Sequence, residues 1–248
     1  MSLVKICGNR TPEDVLTAAE AGADFVGMIF ARSGRRVDAQ QANAMVRALG
    51  DPLAARPLAV PPPARPHVRE EAEAWFRHGA QLLESYLQSK RPLTVGVFAD
   101  QEPEEVNAIA EEAGVDLVQL AGEESWEDCL LLTRQAIQVM HVPLADPSSD
   151  PMGLVEPGFA VGLMLDSAYG PYRGGSGRAF DWEVARRVSS RLPMFLAGGL
   201  TPENMNEAIA TVRPWAVDVA TGVEHAGRKD PALVRAFVTA AKSEEASA

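Results

Sequence analysis

The sequence predicts an α/β protein, a single (βα)8 TIM barrel over residues 1–248, with a proline-rich and helical insertion at about 50–91 between the second and third βα units. Three observations lead there. Short apolar runs bounded by polar turns alternate with longer stretches of helical period, the pattern of a parallel sheet built from βα units, and eight such units can be counted. The length of 248 residues matches the roughly 250 typical of this architecture and fits one core. Glycines gather just beyond the last three strand-like runs, where barrels of this kind commonly bind phosphate.

The first strand is read at Val4 to Cys7. Its helix begins at Thr11, with Pro12 at the first helical position, where a missing N–H costs nothing, and Glu13 and Asp14 in the turn that favours carboxylates. Gly22 supplies the stop. Strands two to four are read at Phe25 to Phe30, Thr94 to Phe98 and Leu117 to Leu120, and strand five near Ile137 to Val142. Strands six to eight are Gly162 to Asp166, Met194 to Ala197 and Ala216 to Val219. The helices after strands two to eight are expected to begin near Asp38, Glu102, Ser125, Met152, Phe180, Thr201 and Asp230. Thr201-Pro202-Glu203-Asn204 repeats the pattern of Thr11-Pro12-Glu13-Asp14, a threonine N-cap joined to a proline.

Gly50 to Arg91 is irregular: Pro57 to Pro66 is proline-rich, and Ala72, Trp75, Phe76, Gly79, Leu82, Leu83, Tyr86 and Leu87 follow helical spacing. The expected structure is an extra amphipathic helix packed outside the barrel. Its Trp75, Phe76, Leu83 and Tyr86 face is alternatively a dimer contact, so monomer and homodimer both stay open.

A net charge of −11 without a compensating basic stripe argues against a nucleic-acid partner. A small phosphorylated ligand remains compatible, because glycine loops and helix N-termini bind phosphate locally. The two cysteines, Cys7 and Cys129, have no spacing that suggests a disulfide framework or a zinc site, and His67, His78, His141 and His225 show no metal-ligand spacing. No metal or cofactor is expected. With no stretch near the ~20 apolar residues of a membrane span and no apolar leader, the expectation is a cytoplasmic protein.

Chemistry is expected at the C-terminal ends of the strands. Cys7 closes strand one, and as a base it needs a thiol lowered from about 8.5 by neighbouring positive charge. Lys5, two residues earlier, shares its face and is read as a substrate-binding residue. Asp166 closes an apolar strand, where desolvation would raise a carboxyl group toward general-acid duty. Arg35 and Arg36, in the loop after strand two, offer guanidinium groups for a carboxylate. Asp218, in strand eight, is read as inward-facing, with structural and substrate-contact roles both open. Gly174, Gly175, Ser176 and Gly177 follow strand six, Gly198 and Gly199 strand seven, and Thr221 and Gly222 strand eight, giving three successive loops whose amides can approach a phosphate.

In order along the chain, Lys5-Ile6-Cys7-Gly8, Gly27-Met28-Ile29-Phe30, Ser33-Gly34-Arg35, Val95-Gly96-Val97-Phe98 and Asp116-Leu117-Val118-Gln119-Leu120 are followed by Leu165-Asp166 and Gly174-Gly175-Ser176-Gly177. Phe180-Asp181-Trp182, Leu196-Ala197-Gly198-Gly199-Leu200, Val217-Asp218-Val219 and Thr221-Gly222-Val223-Glu224 complete the set. This combination resembles the phosphoribosylanthranilate isomerases of tryptophan biosynthesis. The resemblance implies a cofactor-free Amadori rearrangement of a phosphorylated aminoaldose, N-(5-phosphoribosyl)anthranilate, to 1-(2-carboxyphenylamino)-1-deoxyribulose 5-phosphate. It implies Asp166 as general acid, Cys7 as general base, Arg35 at the anthranilate and the glycine loops at the phosphate. The sequence departs from the family at Ala121, where a histidine is usual, at Gly34 with the extra Arg36, and in the long insertion. A lyase or epimerase on a related phosphate barrel and a barrel that binds without turnover are the alternatives.

Overall fold

The computed structural model describes residues 1–53, 71–142, 151–167 and 182–243. Eight parallel strands close into a barrel in chain order: β1 (Leu3–Ile6), β2 (Phe25–Ile29), β3 (Leu93–Phe98), β4 (Leu117–Leu120), β5 (Ala136–Val142), β6 (Gly162–Ser167), β7 (Phe195–Leu196) and β8 (Ala216–Val219). Closure is made by β1, which pairs with both β2 and β8 and sets Lys5 beside Phe25 on one side and Asp218 on the other. Each strand lies within one residue of its expected bounds.

Side chains alternate between the two faces of a strand. Phe25, Leu93, Val95, Leu117, Ile137, Val139, Met164, Phe195 and Ala216 meet inside the barrel. The opposite parity, including Val4, Val26, Val118, Leu163 and Val217, packs under the surrounding helices. Both faces are therefore apolar, as expected of strands covered on each side.

The helices arise from local capping. α1 (Pro12–Glu20) has a reciprocal box in which Thr11 accepts from the Asp14 amide and the Asp14 carboxylate accepts from the Thr11 amide. α2 (Ala39–Ala48) repeats this with Asp38 and Gln41.

Between α2 and β3 stands α3 (Ala72–Ser89), and its position differs from the expected one. Only its first turns, with Ala72, Trp75 and Phe76, join the outer cluster. Leu82, Leu83, Tyr86 and Leu87 join the interior cluster with Phe25, Leu93, Leu117, Ile137, Phe195 and Ala216, the residues that open their strands. α3 thus plugs the N-terminal end of the barrel. Trp75 Nε1 donates to the Ala160 carbonyl at 2.6 Å, and Gly79 passes so close to the Val161 carbonyl that a Cβ would have no room. Trp75, Phe76, Leu83 and Tyr86 are buried within the chain at 6%, 1%, 0% and 3% exposure. That face is spent on the barrel and is not a dimer contact. At the end of α3, Lys90 Nζ meets Asp116 at 2.6 Å, and the same carboxylate accepts from Thr94 and from the Leu53 amide. The expected proline-rich stretch, 57–66, lies outside the described residues.

α4 (Pro103–Ala113) begins after Glu102 as expected, and α7 (Pro231–Lys242) is capped by Asp230. The helices expected near Ser125 and Met152 are short 3-10 segments, Trp126–Leu131 and Pro151–Leu154. A four-residue stretch containing a proline and a glycine cannot nucleate an α-helix. α5 (Trp182–Ser189) follows Phe180, which lies outside the described residues. α6 (Met205–Val212) begins later than Thr201. Asn204 Oδ1 accepts from the Thr201 amide at 2.8 Å while its Nδ2 donates to the Gly199 carbonyl at 2.9 Å, so the preceding residues are held as a turn. No helix among the described residues is long and apolar enough to cross a membrane.

Candidate active site

At the C-terminal end of β1 the chain turns at Gly8, whose φ is 75°. Lys5 and Cys7 share the inward face. Lys5 is fully buried, and its Nζ donates to Asp218 Oδ1 at 2.8 Å. Burial alone would push this ammonium down, but the charge and hydrogen bond of Asp218, with help from Cys7, outweigh it and leave it pushed up to about 12. Asp218 is thus committed to Lys5. Space for the pair comes from the facing strand: a Cβ at Gly27 would lie 2.7 Å from Cys7 Sγ and 3.1 Å from Lys5 Nζ.

The thiol does not follow the sequence expectation. Burial pushes Cys7 up; Lys5 pulls it back, Asp218 pushes it up again, and Lys229 adds a smaller downward pull. The expected lowering by neighbouring positive charge is present but smaller than the desolvation that opposes it.

Above Cys7 lies a network that joins the expected Arg35 and Thr221 to Glu224 and Lys229, two residues the sequence did not point to as a site. Arg35 Nε donates to Glu224 Oε1 at 2.7 Å, and its Nη2 donates to Glu224 Oε2 and to Thr221 Oγ1, each at 2.9 Å. Its Cδ packs so close to Gly8 that a Cβ there would stand 2.7 Å away. Lys229 Nζ donates to Glu224 Oε1 at 3.0 Å and to the Ala220 carbonyl at 2.7 Å. Burial pushes Lys229 down despite Glu224. Burial would push Glu224 up, but Arg35 and Lys229 outweigh it and hold it below the usual carboxylate range. Glu224 and Lys229 face each other across a two-stranded hairpin, β9 (Glu224–His225) and β10 (Arg228–Lys229). Ala226 and Gly227 turn that hairpin with φ of 49° and 73°. Among the described residues, the Nη1 edge of Arg35 carries no hydrogen bond, which leaves two donors for a carboxylate. Arg36, by contrast, is exposed and bridges back to Ile29.

Asp166 stands near the end of β6, two residues beyond the interior Met164, and so on the inward face. Its ladder partner on β5 is His141, a residue the sequence gave no reason to choose. After β7, Gly198 and Gly199 adopt φ of 86° and 69°. After β8, Thr221 and Gly222 open a 3-10 turn, Thr221–Val223. Gly174, Gly175, Ser176 and Gly177 lie outside the described residues. The inward groups at this end are thus a thiol, a buried ammonium, a carboxyl group and an arginine edge, next to glycine-bearing loops: a set suited to proton transfer on a small dianionic ligand.

Residues 61–240 match the family model for N-(5'phosphoribosyl)anthranilate (PRA) isomerase. Over 247 residues the chain is 34% identical to an N-(5'-phosphoribosyl)anthranilate isomerase of Dehalococcoides mccartyi, covering 98% of this chain and 96% of that protein. It is 39% identical to a multifunctional tryptophan biosynthesis protein of Phycomyces blakesleeanus, covering 97% of this chain but 32% of that longer one. The crystal structure of phosphoribosyl anthranilate isomerase from Thermus thermophilus superposes with a TM-score of 0.70 at 32% identity, over 96% of this chain and 97% of that one. A further isomerase structure, in complex with reduced 1-(o-carboxyphenylamino)-1-deoxyribulose 5-phosphate, superposes with a TM-score of 0.69 at 29% identity, over 98% and 99% of the two chains.

Proposed function

The chain belongs to the N-(5'-phosphoribosyl)anthranilate isomerase family, and on that premise we propose that it converts N-(5-phosphoribosyl)anthranilate into 1-(2-carboxyphenylamino)-1-deoxyribulose 5-phosphate, with Asp166 as acid and Cys7 as base. The observation that carries the residue assignment is that both project inward at the same end of one closed barrel, from β6 and from the turn after β1. Asp166 gives its proton to the ribose ring oxygen as the bond from that oxygen to C1 breaks, and the nitrogen lone pair forms the Schiff base. The Cys7 thiolate then takes the proton from C2, and the enolamine produced tautomerises to the ketone. The substrate gains one proton at oxygen and loses one at carbon, so the proton count balances. The Nη1 edge of Arg35 serves the anthranilate carboxylate, and Gly198, Gly199, Thr221 and Gly222, together with Gly174, Gly175, Ser176 and Gly177, serve the phosphate. Lys5 and Asp218 hold the base from below rather than touching the substrate. Arg36 is left without a role.

The enzyme works in the cytoplasm on this reading, as a monomer or as a homodimer that does not use the apolar face of α3. The test is the change of anthranilate fluorescence during turnover. Cys7→Ala and Asp166→Asn should each abolish turnover, and full activity in both would overturn the assignment. Failure of the gene to restore growth to a tryptophan auxotroph lacking this step would favour a barrel that binds without turnover.

A further inference from the structure

His141 occupies an unexplained place in the mouth. It lies two residues beyond the interior Val139 on β5, so it faces inward, and it is the direct ladder partner of Asp166 on β6. Its Nε2 is 2.9 Å from the carbonyl of Ala121, the residue that follows β4. A carbonyl oxygen only accepts, so Nε2 carries the hydrogen, and the tautomer with a single ring hydrogen has its lone pair on Nδ1. Among the described residues, that Nδ1 is buried and has no hydrogen-bond partner.

A buried acceptor without a donor is costly, and here it sits beside the proposed acid. We propose that His141 is a substrate-binding residue whose Nδ1 accepts a hydrogen bond from a sugar hydroxyl of the phosphorylated aminopentose. This deepens the isomerase reading and rests on it. The chemistry of the lone pair selects the group. The phosphate dianion and the anthranilate carboxylate have no proton to give, and the anilino nitrogen is tied to the carboxylate held at Arg35, on the β1–β2 side. The pentose hydroxyls are the donors left on the β5–β6 side. Backbone pairing to Ala121 fixes the tautomer and the ring plane, so the acceptor is set before the sugar arrives.

The experiment compares His141→Phe, His141→Asn and His141→Gln in the fluorescence assay, alongside thermal midpoints and the dissociation constant of reduced 1-(o-carboxyphenylamino)-1-deoxyribulose 5-phosphate. Asparagine puts Oδ1 close to the position of Nδ1, whereas glutamine reaches only the position of Nε2. His141→Phe should lower kcat/KM by about 10-fold to 100-fold, the range expected for leaving one polar group unpaired, with KM and the dissociation constant rising together. His141→Asn should recover most of that loss and His141→Gln little of it. Wild-type kinetics in His141→Phe, or rescue by glutamine and not asparagine, would overturn the proposal. Lack of turnover by the unmodified protein would instead refute the isomerase reading itself.

Discussion

Replacing Gly27 by alanine tests whether the space opposite Cys7 is part of the machinery. The added Cβ would stand 2.7 Å from Cys7 Sγ, 3.1 Å from Lys5 Nζ and 3.2 Å from Cys7 Cα. Ordinary contacts between non-bonded atoms lie near 3.5–4.0 Å, so the sulfur must retreat by roughly 1 Å. Moving the backbone offers little relief, because the Cα of the same residue is also crowded and the Cys7 amide is tied to the Val219 carbonyl at 2.8 Å. A misplacement of about 1 Å costs on the order of 100-fold in rate, and local overpacking costs roughly 1–3 kcal/mol of stability. Steady-state kinetics on Gly27→Ala should therefore show kcat down by about 100-fold, while a thermal melt shows a fall of several degrees. Wild-type kcat at an unchanged midpoint would refute the reasoning.

With the thiol raised by burial and the thiolate as the active form, the reactive fraction grows with pH; log kcat/KM should climb through the neutral range, and a flat profile would speak against Cys7 as base. Leu83→Ala in α3 should cost roughly 2–5 kcal/mol in a denaturant titration yet leave kcat unchanged under folding conditions, because the cavity opens at the end of the barrel away from the chemistry. Glu224→Gln should loosen Arg35 and raise KM by on the order of 10-fold, the worth of a charge-assisted hydrogen bond; an unaltered KM would show that Arg35 is held well enough by Thr221.

The strands were legible because both faces of each are covered, so Val95 and Phe98, or Leu163 and Met164, read as unbroken apolar runs whichever way they point. Thr11, Asp38 and Asp230 were legible because a cap is a local bond. The position of α3 was not. Helical spacing says that a stripe is buried, not against what, and only Gly79 and Trp75 within the stripe hinted at close approach to another backbone. Glu224 and Lys229 were hidden for a different reason: their meeting depends on a hairpin of two-residue strands, too short to carry a period. His141 was hidden because its significance lies in register with Asp166 and in the carbonyl of Ala121 just beyond β4.

The least expected finding, a thiol raised rather than lowered, follows from how Lys5 is neutralised. Lys5 stands beside Cys7, but Asp218 is bonded to Lys5 at 2.8 Å and acts on the same sulfur with opposite sign. Asp218 offsets part of the pull of Lys5, and desolvation decides. Each half of the pair then has its own signature. Asp218→Asn leaves Lys5 an acceptor oxygen while removing the opposing charge, so the thiol should fall and the rising limb of log kcat/KM should move to lower pH. Lys5→Met removes the only large downward influence and leaves Asp218 acting alone, so the limb should move to higher pH. Both variants lose a buried partner, an effect worth roughly 3–5 kcal/mol, so a common loss of stability cannot separate them. The direction of the pH shift can. Displacement of both profiles the same way would mean that the ammonium and carboxylate do not govern Cys7 through their charges.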